Sequence, residues 1–308
     1  MTKISEPIVF FGSGPVAAES LRLLNNNFRI EAVVTKPRAA HHHGDVPVLE
    51  LAEKLALPIK TVTNKADLDA LFGGKPFESK LGILIDFGII VSQKVIDYFQ
   101  LGIINSHFSL LPEWRGADPI TFSILSGQKT TGVSLMLLSA GMDEGPLLAQ
   151  TTFDIPSDMT TPELTDALID GSYQALCHVV PAYLTGAAQP APQEAVSLAP
   201  SKVPTYSRRL TKEDSIIDWS KPAEVIEREI RAFSGWPKSR GQLGKLDVIL
   251  TKTHVVDASG EPGKAAIIDK QLVVYCGQGA LVVDRIKPAG KKEMTGEAFL
   301  AGYKQLVI

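Results

Sequence analysis

Short apolar runs alternate with segments of helical periodicity along the first half of the chain. This alternation is typical of βαβ units, so we predict an α/β fold with a Rossmann-like, mostly parallel sheet and helices on both faces. The predicted strands span residues 8–11, 30–34, 59–62, 81–86, 103–104 and 132–138. The predicted helices span residues 15–24, 48–55, 92–99 and 119–125.

The pattern changes in the second half of the chain. Residues 186–204 are rich in Ala, Pro, Gln and Ser, a composition typical of a linker. One helical segment at 223–233 then precedes short β runs at 248–250, 265–268, 272–275 and 281–283. Such runs, separated by Gly and Pro, predict a smaller C-terminal β-barrel domain of OB-like type. We therefore expect one domain at 1–185 and another at 205–308.

The net charge of −3 is unevenly distributed along the chain. Residues 1–204 carry 14 Lys+Arg and 21 Asp+Glu, whereas residues 205–308 carry 17 and 13. A polyanionic partner would therefore meet the C-terminal part more favourably, although chance clustering on a solvated surface explains the same numbers.

Composition argues against several classes of protein. No apolar stretch reaches the roughly 18 residues that a membrane span needs, and no signal peptide is evident. Cys177 and Cys276 lie far apart and outside any CxxC pattern, so we expect neither a disulfide framework nor a zinc site. We expect a cytoplasmic monomer that binds no metal and no membrane.

A glycine loop follows the first predicted strand. Gly12-Ser-Gly14-Pro-Val-Ala17 fits G-x-G-x-x-A, a dinucleotide-binding pattern. That pattern requires an acidic residue at the end of the second strand, which here ends in Val34-Thr35-Lys36. We therefore favour a tight strand-to-helix turn over NAD binding.

Asn105 and His107 follow an apolar run and lie two residues apart. Side chains at i and i+2 of a strand share a face, so both should point into the opening at the strand's end. Asp143 lies on a loop between Gly141 and Gly145, which let the backbone turn sharply. We expect all three at the carboxyl ends of parallel strands, the usual binding crevice of such a sheet.

Each of these residues taken alone is more often structural than catalytic. Together, an amide, an imidazole and a carboxylate can stabilise an oxyanion, move a proton and orient the imidazole. No Ser or Cys in a nucleophile context accompanies them. Direct acyl transfer to an incoming amine therefore suits the set better than a covalent intermediate.

The chain resembles the methionyl-tRNA formyltransferase family over essentially its whole length. The stretches at 103–117, 131–136 and 141–145 carry the Asn-x-His, Ser-Leu-Leu-Pro and Asp pattern of folate-dependent formyltransferases. That pattern does not distinguish acceptors, since enzymes acting on glycinamide ribotide or amino sugars share it. The stretches at 217–220, 230–237 and 287–292 are similar to the C-terminal domain of the tRNA-directed members.

The resemblance implies transfer of a formyl group from 10-formyltetrahydrofolate, as co-substrate, to methionine on charged initiator tRNA. Asn105 and His107 would then stabilise the oxyanion of a tetrahedral intermediate, and Asp143 would orient His107 and assist proton transfer. The resemblance also implies that folate is bound by two segments, in part through main-chain groups: Phe87, Gly88, Ile89 and Ile90, and Ser109, Leu110, Leu111 and Pro112.

Contact with tRNA is implied for five basic residues: Arg38, Lys238, Arg240, Lys291 and Lys292. The chain departs from the family after its second strand, where the family has a longer, strongly basic loop. The three histidines at 41–43 are mostly neutral at pH 7 and neutralise few phosphates. Three consecutive side chains also converge poorly on one metal ion. The family's usual Tyr before Gly88 is Phe87 here.

Three other functions compete with this interpretation. One is formylation of an amino sugar or nucleotide sugar, and another is a tRNA-binding paralogue without catalysis. The presence of Asn105, His107 and Asp143 argues against the second. The third is hydrolysis of formyltetrahydrofolate, which needs no second substrate domain and therefore leaves the predicted barrel unexplained.

Overall fold

The computed structural model describes residues 4–38 and 45–303. The chain divides into two units whose segments interleave along the sequence. The first comprises Met1–Pro119, Thr130–Asp154 and Thr165–Ser207, and the second comprises Ile120–Lys129, Ile155–Leu164 and Arg208–Ile308. Residues 186–204, which we predicted to be a linker, thus belong to the first unit.

The first unit contains a seven-stranded sheet. Its strands are β1 (Ile4–Phe11), β2 (Phe28–Thr35), β3 (Ile59–Thr61), β4 (Leu81–Leu84), β5 (Ile103–His107), β7 (Thr130–Leu137) and β8 (Leu147–Asp154). They are ordered β3-β2-β1-β4-β5-β7-β8. The five strands from β3 to β5 are parallel, whereas β7 runs antiparallel to both β5 and β8. The predicted mostly parallel sheet is confirmed.

Strand β1 shows why the central strands of this sheet are continuous apolar runs and not alternations of apolar and polar residues. Ile8, Val9, Phe10 and Phe11 have no exposed surface, because both faces of a central parallel strand are covered.

The helices of the chain up to residue 196 are α1 (Pro15–Asn27), α2 (Pro47–Lys54), α3 (Lys65–Leu71), α4 (Gln93–Ile96), α5 (Pro119–Leu125), α6 (Thr161–Leu184) and α7 (Gln193–Val196), with a 3₁₀ turn at Phe72–Gly74. Of the helix predicted at 92–99, only the four residues of α4 are α-helical.

A short parallel ladder also belongs to the first unit. It joins β6 (Arg115–Gly116) to β9 (Tyr206–Ser207). The two strands are about 90 residues apart in sequence, so the end of the segment that follows α7 is fixed against the chain that follows β5.

The second unit contains an antiparallel sheet. Its strands are β10 (Ser239–Leu243), β11 (Leu246–Val256), β12 (Ala265–Ile268), β13 (Gln271–Tyr275), β14 (Ala280–Pro288) and β15 (Met294–Thr295). The order is β10-β11-β14-β13-β12, and β15 pairs with β14. Within the part of the chain that the structure covers, no ladder joins β10 to β12, so closure into a barrel remains a prediction.

Helices also contribute to the core of the second unit. The helical segments after residue 207 are α8 (Ala223–Ala232), α9 (Gly296–Tyr303) and a 3₁₀ turn at Glu213–Ser215. Ile226 and Ile230 of α8 and Phe299 of α9 are buried in one cluster with residues of the sheet. Trp219 packs on the same cluster, and a Cβ at Gly241 would lie 3.2 Å from its Cζ2 atom. The stretch at 217–220 therefore has a structural role in this core.

Candidate active site

Asn105 and His107 lie at the end of β5 and are each only 7% exposed. The side chain between them, Ser106, takes the other face of the strand, where its Oγ lies 2.7 Å from Oγ of Ser172. This alternation is the period of two that places Asn105 and His107 on one face.

The carboxylate of Asp143 connects three other groups. Its Oδ1 accepts a hydrogen bond from Nδ2 of Asn105 at 3.3 Å, and its Oδ2 accepts one from the backbone N–H of Gly116 at 2.8 Å. Nδ1 of His107 lies 3.8 Å from Oδ2, which is too long for a hydrogen bond but close enough for electrostatic attraction. The structure thus brings the three predicted catalytic residues together.

The reason we gave for the position of Asp143 is wrong. We expected it beyond the carboxyl end of a parallel strand, but β7 is antiparallel to β5, with Leu137 opposite Ile104 and Ser134 opposite His107. The end of β7 therefore lies beside the start of β5. Asp143 reaches Asn105 and His107 because residues 138–146 fold back between β7 and β8, with Asp143 at a φ of 49°.

The backbone carbonyl of Trp114 also contacts the imidazole, which the sequence did not predict. Nε2 of His107 lies 2.9 Å from this oxygen, and a carbonyl oxygen can only accept, so Nε2 carries the proton. Trp114 adopts a φ of 56°, and its own N–H donates to Oγ1 of Thr205 at 2.9 Å. Nδ1 is the ring nitrogen that remains for proton exchange on the side of Asp143.

Gln193 and Arg115 form a second group that the sequence did not predict. Gln193 is 2% exposed, and its Nε2 donates to the carbonyl oxygens of Asp143 at 2.8 Å and Gly145 at 2.9 Å. Its Oε1 accepts from Nη2 of the buried Arg115 at 2.8 Å. Nη1 of Arg115 lies 3.5 Å from the carboxylate of Glu144. The only sequence signal is a Gln directly after Pro192 at the end of a Pro-rich run, and it does not identify a partner.

The first predicted folate segment is partly buried and partly open. The ring of Phe87 lies in the core, edge-on to Phe11 with ring centroids 5.6 Å apart. Gly88 is exposed at a φ of 66°, and Ile90 is 77% exposed. A Cβ at Gly88 would lie 3.0 Å from Nζ of Lys36. The open surface here is therefore the backbone at Gly88 and the side chain of Ile90, with Ile89 half-buried between them.

The second predicted folate segment, Ser109 to Pro112, is buried throughout. Oγ of Ser134 donates to the carbonyl oxygen of Ser109 at 2.6 Å and accepts from the N–H of Leu111 at 2.9 Å. Side chains of Gln150 and Ser197 donate to the carbonyl oxygen of Leu111. These contacts fix the shape of the turn that follows β5. The side chains of the turn are buried, and Leu110 is 1% exposed.

The glycine loop after β1 is the tight turn that we favoured. A Cβ at Gly12 would lie 2.6 Å from Cβ of Ala17 and 3.0 Å from the carbonyl oxygen of Ile85, so no larger residue fits. The N–H of Ser13 donates to the carbonyl oxygen of Asp86 at 3.0 Å. The loop thereby closes against the end of β4.

The predicted tRNA contacts belong to both units. In the first unit, Nη2 of Arg38 lies 2.5 Å from Oε1 of Glu50, and the three histidines at 41–43 lie outside the described residues. In the second unit four predicted residues are exposed: Lys238, Arg240, Lys291 and Lys292.

One exposed row of the second unit's sheet carries two positive charges. Arg240 pairs with Ile249 in the ladder of β10 and β11, and Ile249 pairs with Lys287 in the ladder of β11 and β14. Directly paired residues share a face, so Arg240 and Lys287 flank Ile249 on the outer side of the sheet. Lys287 was not among our predicted contacts.

No helix within the described ranges is both long enough and apolar enough to cross a membrane. Those ranges also contain no cluster of three or more His, Cys, Asp or Glu side chains arranged to hold a metal ion.

Two family models match the chain. The model described as "Formyl transferase" matches residues 8–180, and that described as "Formyl transferase, C-terminal domain" matches residues 209–304. Together they cover most of the chain, and residues 181–208 lie between the two matches.

Curated relatives match over nearly their full length. A methionyl-tRNA formyltransferase of Granulibacter bethesdensis is 34% identical over 306 residues, which cover 96% of this chain and 94% of the relative. One of Roseiflexus castenholzii is 33% identical over 308 residues, with 96% of each protein covered.

A solved structure shares the fold. An N-formyltransferase of Helicobacter canadensis, in complex with folinic acid and dTDP-3-aminofucose, superposes with a TM-score of 0.65. The superposition covers 92% of this chain and 99% of that protein at 16% sequence identity, which supports a common fold and nothing finer.

Proposed function

The chain belongs to the methionyl-tRNA formyltransferase family, and we propose that it transfers the formyl group of 10-formyltetrahydrofolate to the α-amino group of methionyl initiator tRNA. The observation that carries this proposal is the position of Asp143, whose carboxylate meets Asn105 and lies beside His107. The presence of all three groups within hydrogen-bonding or electrostatic reach favours an enzyme over a paralogue that only binds tRNA.

The proposed reaction is a direct transfer. The neutral amine attacks the formyl carbon, and the carbonyl electrons move to oxygen to give a tetrahedral intermediate. The bond from carbon to N10 of the folate then breaks, the amine loses a proton, and N10 gains one. No covalent enzyme intermediate is required.

The polar groups at the end of β5 have distinct parts in this reaction. Asn105 uses one amide hydrogen toward Asp143, so its second hydrogen remains for the developing oxyanion. His107 is held through Nε2 by the carbonyl of Trp114, so Nδ1 is the atom that gains and loses a proton. Asp143 stabilises the protonated ring across 3.8 Å and receives support from Gly116.

Binding of the folate donor is proposed at the end of β4. Exposed backbone at Gly88 and the exposed side chain of Ile90 suit the edge and face of a flat heterocycle, whereas Phe87 supports them from the core. Ser109, Leu110, Leu111 and Pro112 are buried, so their proposed contribution is the shape of the turn. The chemistry requires no metal ion.

Binding of tRNA is proposed at the basic residues of both units. Arg240 and Lys287 lie in one exposed row, and Lys238, Lys291 and Lys292 are exposed as well. Lys and Arg that neutralise phosphates make binding strongly salt-dependent. Arg38, paired with Glu50, would have to exchange that carboxylate for a phosphate.

We also propose that the protein acts as a cytoplasmic monomer.

Formyl transfer to charged initiator tRNA tests the proposal directly. The donor is 10-formyltetrahydrofolate, and the matched acceptors are uncharged initiator tRNA and a free nucleotide-linked amino sugar. Formylation of the charged tRNA alone is expected. Formylation of the sugar with no transfer to tRNA would replace the proposal by the amino-sugar reaction, and formate release without an acceptor would replace it by hydrolysis.

A further inference from the structure

We propose that Gln193 is a positioning residue of the formyl transfer reaction, acting through the backbone of the Asp143 loop. This inference rests on the proposed function. Gln193 lies in the segment 186–204, far in sequence from the residues predicted to be catalytic. It touches no reacting group itself.

The contacts of Gln193 explain how the Asp143 loop keeps its conformation. Asp143 has a φ of 49°. This left-handed backbone conformation costs an L-residue free energy, so it persists only where other contacts hold it. Both amide hydrogens of Gln193 are directed at this loop, one to the carbonyl of Asp143 and one to that of Gly145. The loop is therefore anchored on both sides of Glu144.

Arg115 fixes the orientation of the Gln193 amide. Its Nη2 donates to Oε1 at 2.8 Å, so the amide oxygen must face Arg115 and the amide nitrogen must face the loop. Arg115 also immediately precedes Gly116, whose N–H supports the carboxylate of Asp143. One buried pair thus connects the backbone and the side chain of Asp143.

A second side-chain bridge in the same unit, made by the half-buried Gln150, offers a control with the same number of hydrogen bonds. Nε2 of Gln150 donates to the carbonyl of Leu111 at 3.0 Å and to Oγ of Ser134 at 2.7 Å, and its Oε1 accepts from the N–H of Leu198 at 2.6 Å. Gln150 thus makes the same number of bonds as Gln193 and none of them reaches Asp143.

Gln193→Glu is the variant that tests the inference. Its carboxylate still accepts from Arg115 but replaces the amide donors by an oxygen, which repels the carbonyls of Asp143 and Gly145. A displacement of about 1 Å can lower a rate about 10²-fold. We expect kcat to fall by about that factor while KM for 10-formyltetrahydrofolate changes by less than about twofold.

A double-mutant comparison with Asp143→Ala distinguishes a positioning role of Gln193 from general support of the fold. In an Asp143→Ala background, Gln193→Glu should lower kcat no further, because the group it positions is gone. Gln150→Glu should have effects that are additive with Asp143→Ala. Full additivity for Gln193→Glu, or an unchanged kcat in the folded variant, would overturn the inference.

Amide exchange tests the geometry without any reaction. The Gly116 N–H donates to Asp143 and the Leu111 N–H donates to Ser134. Gln193→Glu should speed amide exchange at Gly116 by about tenfold relative to exchange at Leu111. Gln150→Glu should instead speed amide exchange at Leu111 relative to exchange at Gly116. Unchanged Gly116 exchange overturns the inference, whereas an inactive wild-type chain with the expected exchange pattern overturns only the proposed function. If Gln193→Glu does not fold, the shorter amide of Gln193→Asn tests the same two readouts with smaller effects.

Discussion

Nε2 of His107 donates a hydrogen bond to the carbonyl oxygen of Trp114 across 2.9 Å. The imidazole is therefore oriented by the backbone of the turn that follows it, while Asp143 faces the other ring nitrogen at 3.8 Å. This geometry separates the holding of the ring from its proton exchange, and the two can be removed independently.

His107→Gln retains the holding contact and removes the proton exchange. The glutamine amide can donate to the Trp114 carbonyl, but it cannot take up a proton at physiological pH. We expect kcat for formyl transfer to fall by about 10²–10⁴-fold with little change in tRNA affinity. A rate close to that of the wild type would mean that His107 is only a structural donor.

Asn105→Ala removes one proposed donor to the oxyanion. Loss of one such donor typically lowers kcat by about 10²–10³-fold, and we expect that range in a steady-state assay with charged tRNA. Ser106→Ala is the matched control, because Ser106 faces Ser172 on the other side of β5. That variant should lose about 1 kcal/mol of stability and keep its rate. Equal rates for the two variants would contradict the assignment of Asn105.

Gly116→Ala should destabilise the protein and slow the reaction together. Gly116 has a φ of 105°, and an added Cβ would lie 2.6 Å from the carbonyl oxygen of Ser207. Gly102→Ala in the same unit is the control, since its φ is 72° and the nearest atom would be 3.7 Å away. Thermal unfolding should show about 1 kcal/mol of loss for Gly102→Ala and more for Gly116→Ala. Only Gly116→Ala should also lower kcat.

The acid dependence of stability should include a contribution from Asp214. Hydrogen bonds from the Arg208 guanidinium, with the N–H of Thr211, hold the pKa of the Asp214 carboxyl well below its usual range. The stability that this provides is complete above the unfolded pKa of about 3.9 and is lost as the pH falls from there toward the folded pKa. Asp214→Asn should therefore be less stable than wild type at pH 7, and the difference should shrink below about pH 4.

Arg208→Gln serves as the second variant for this prediction. Removal of the guanidinium takes away the main cause of the lowered pKa, so its stability against pH should follow that of Asp214→Asn rather than that of the wild type. Unfolding by urea at several pH values measures both. Parallel curves for wild type and Asp214→Asn would contradict the prediction.

The basic row of the second unit predicts a salt effect on tRNA binding. Arg240→Gln and Lys287→Gln should each weaken binding and reduce the slope of log K against log salt by about 1. Lys270→Gln is the control, because Lys270 lies on the turn between β12 and β13 at the opposite edge of the sheet. Unchanged slopes for Arg240→Gln and Lys287→Gln would move the tRNA contact elsewhere.

The sequence predicted the parallel part of the sheet well, because central strands covered on both faces are continuous apolar runs. It missed β8, in which only Leu147 is fully buried while Thr151, Thr152 and Asp154 are exposed, a pattern without clear alternation. It also missed the 24 residues of α6, which has an internal Pro181. The direction of β7 could not be predicted, since periodicity is the same in either direction.

The sequence predicted the polar side chains of the candidate site, but it did not predict the contacts that these side chains make with main-chain carbonyl groups. Asn105, His107 and Asp143 are residue types whose chemistry is visible in a sequence. The acceptor for His107 is a main-chain carbonyl, and every residue has one, so nothing distinguished Trp114. Gln193 was hidden for a related reason, because its partners are the carbonyls of Asp143 and Gly145.

The ladder between β6 and β9 limits where foreign sequence can replace the end of this chain. A chimaera that joins foreign sequence at residue 186 would remove α7 and β9, and with them the contacts that hold Gly116 and the Asp143 loop. One that joins after Ser207 keeps them. Any chimaera that is to keep the candidate site therefore has to keep two backbone pairs, Arg115 with Tyr206 and Gly116 with Ser207.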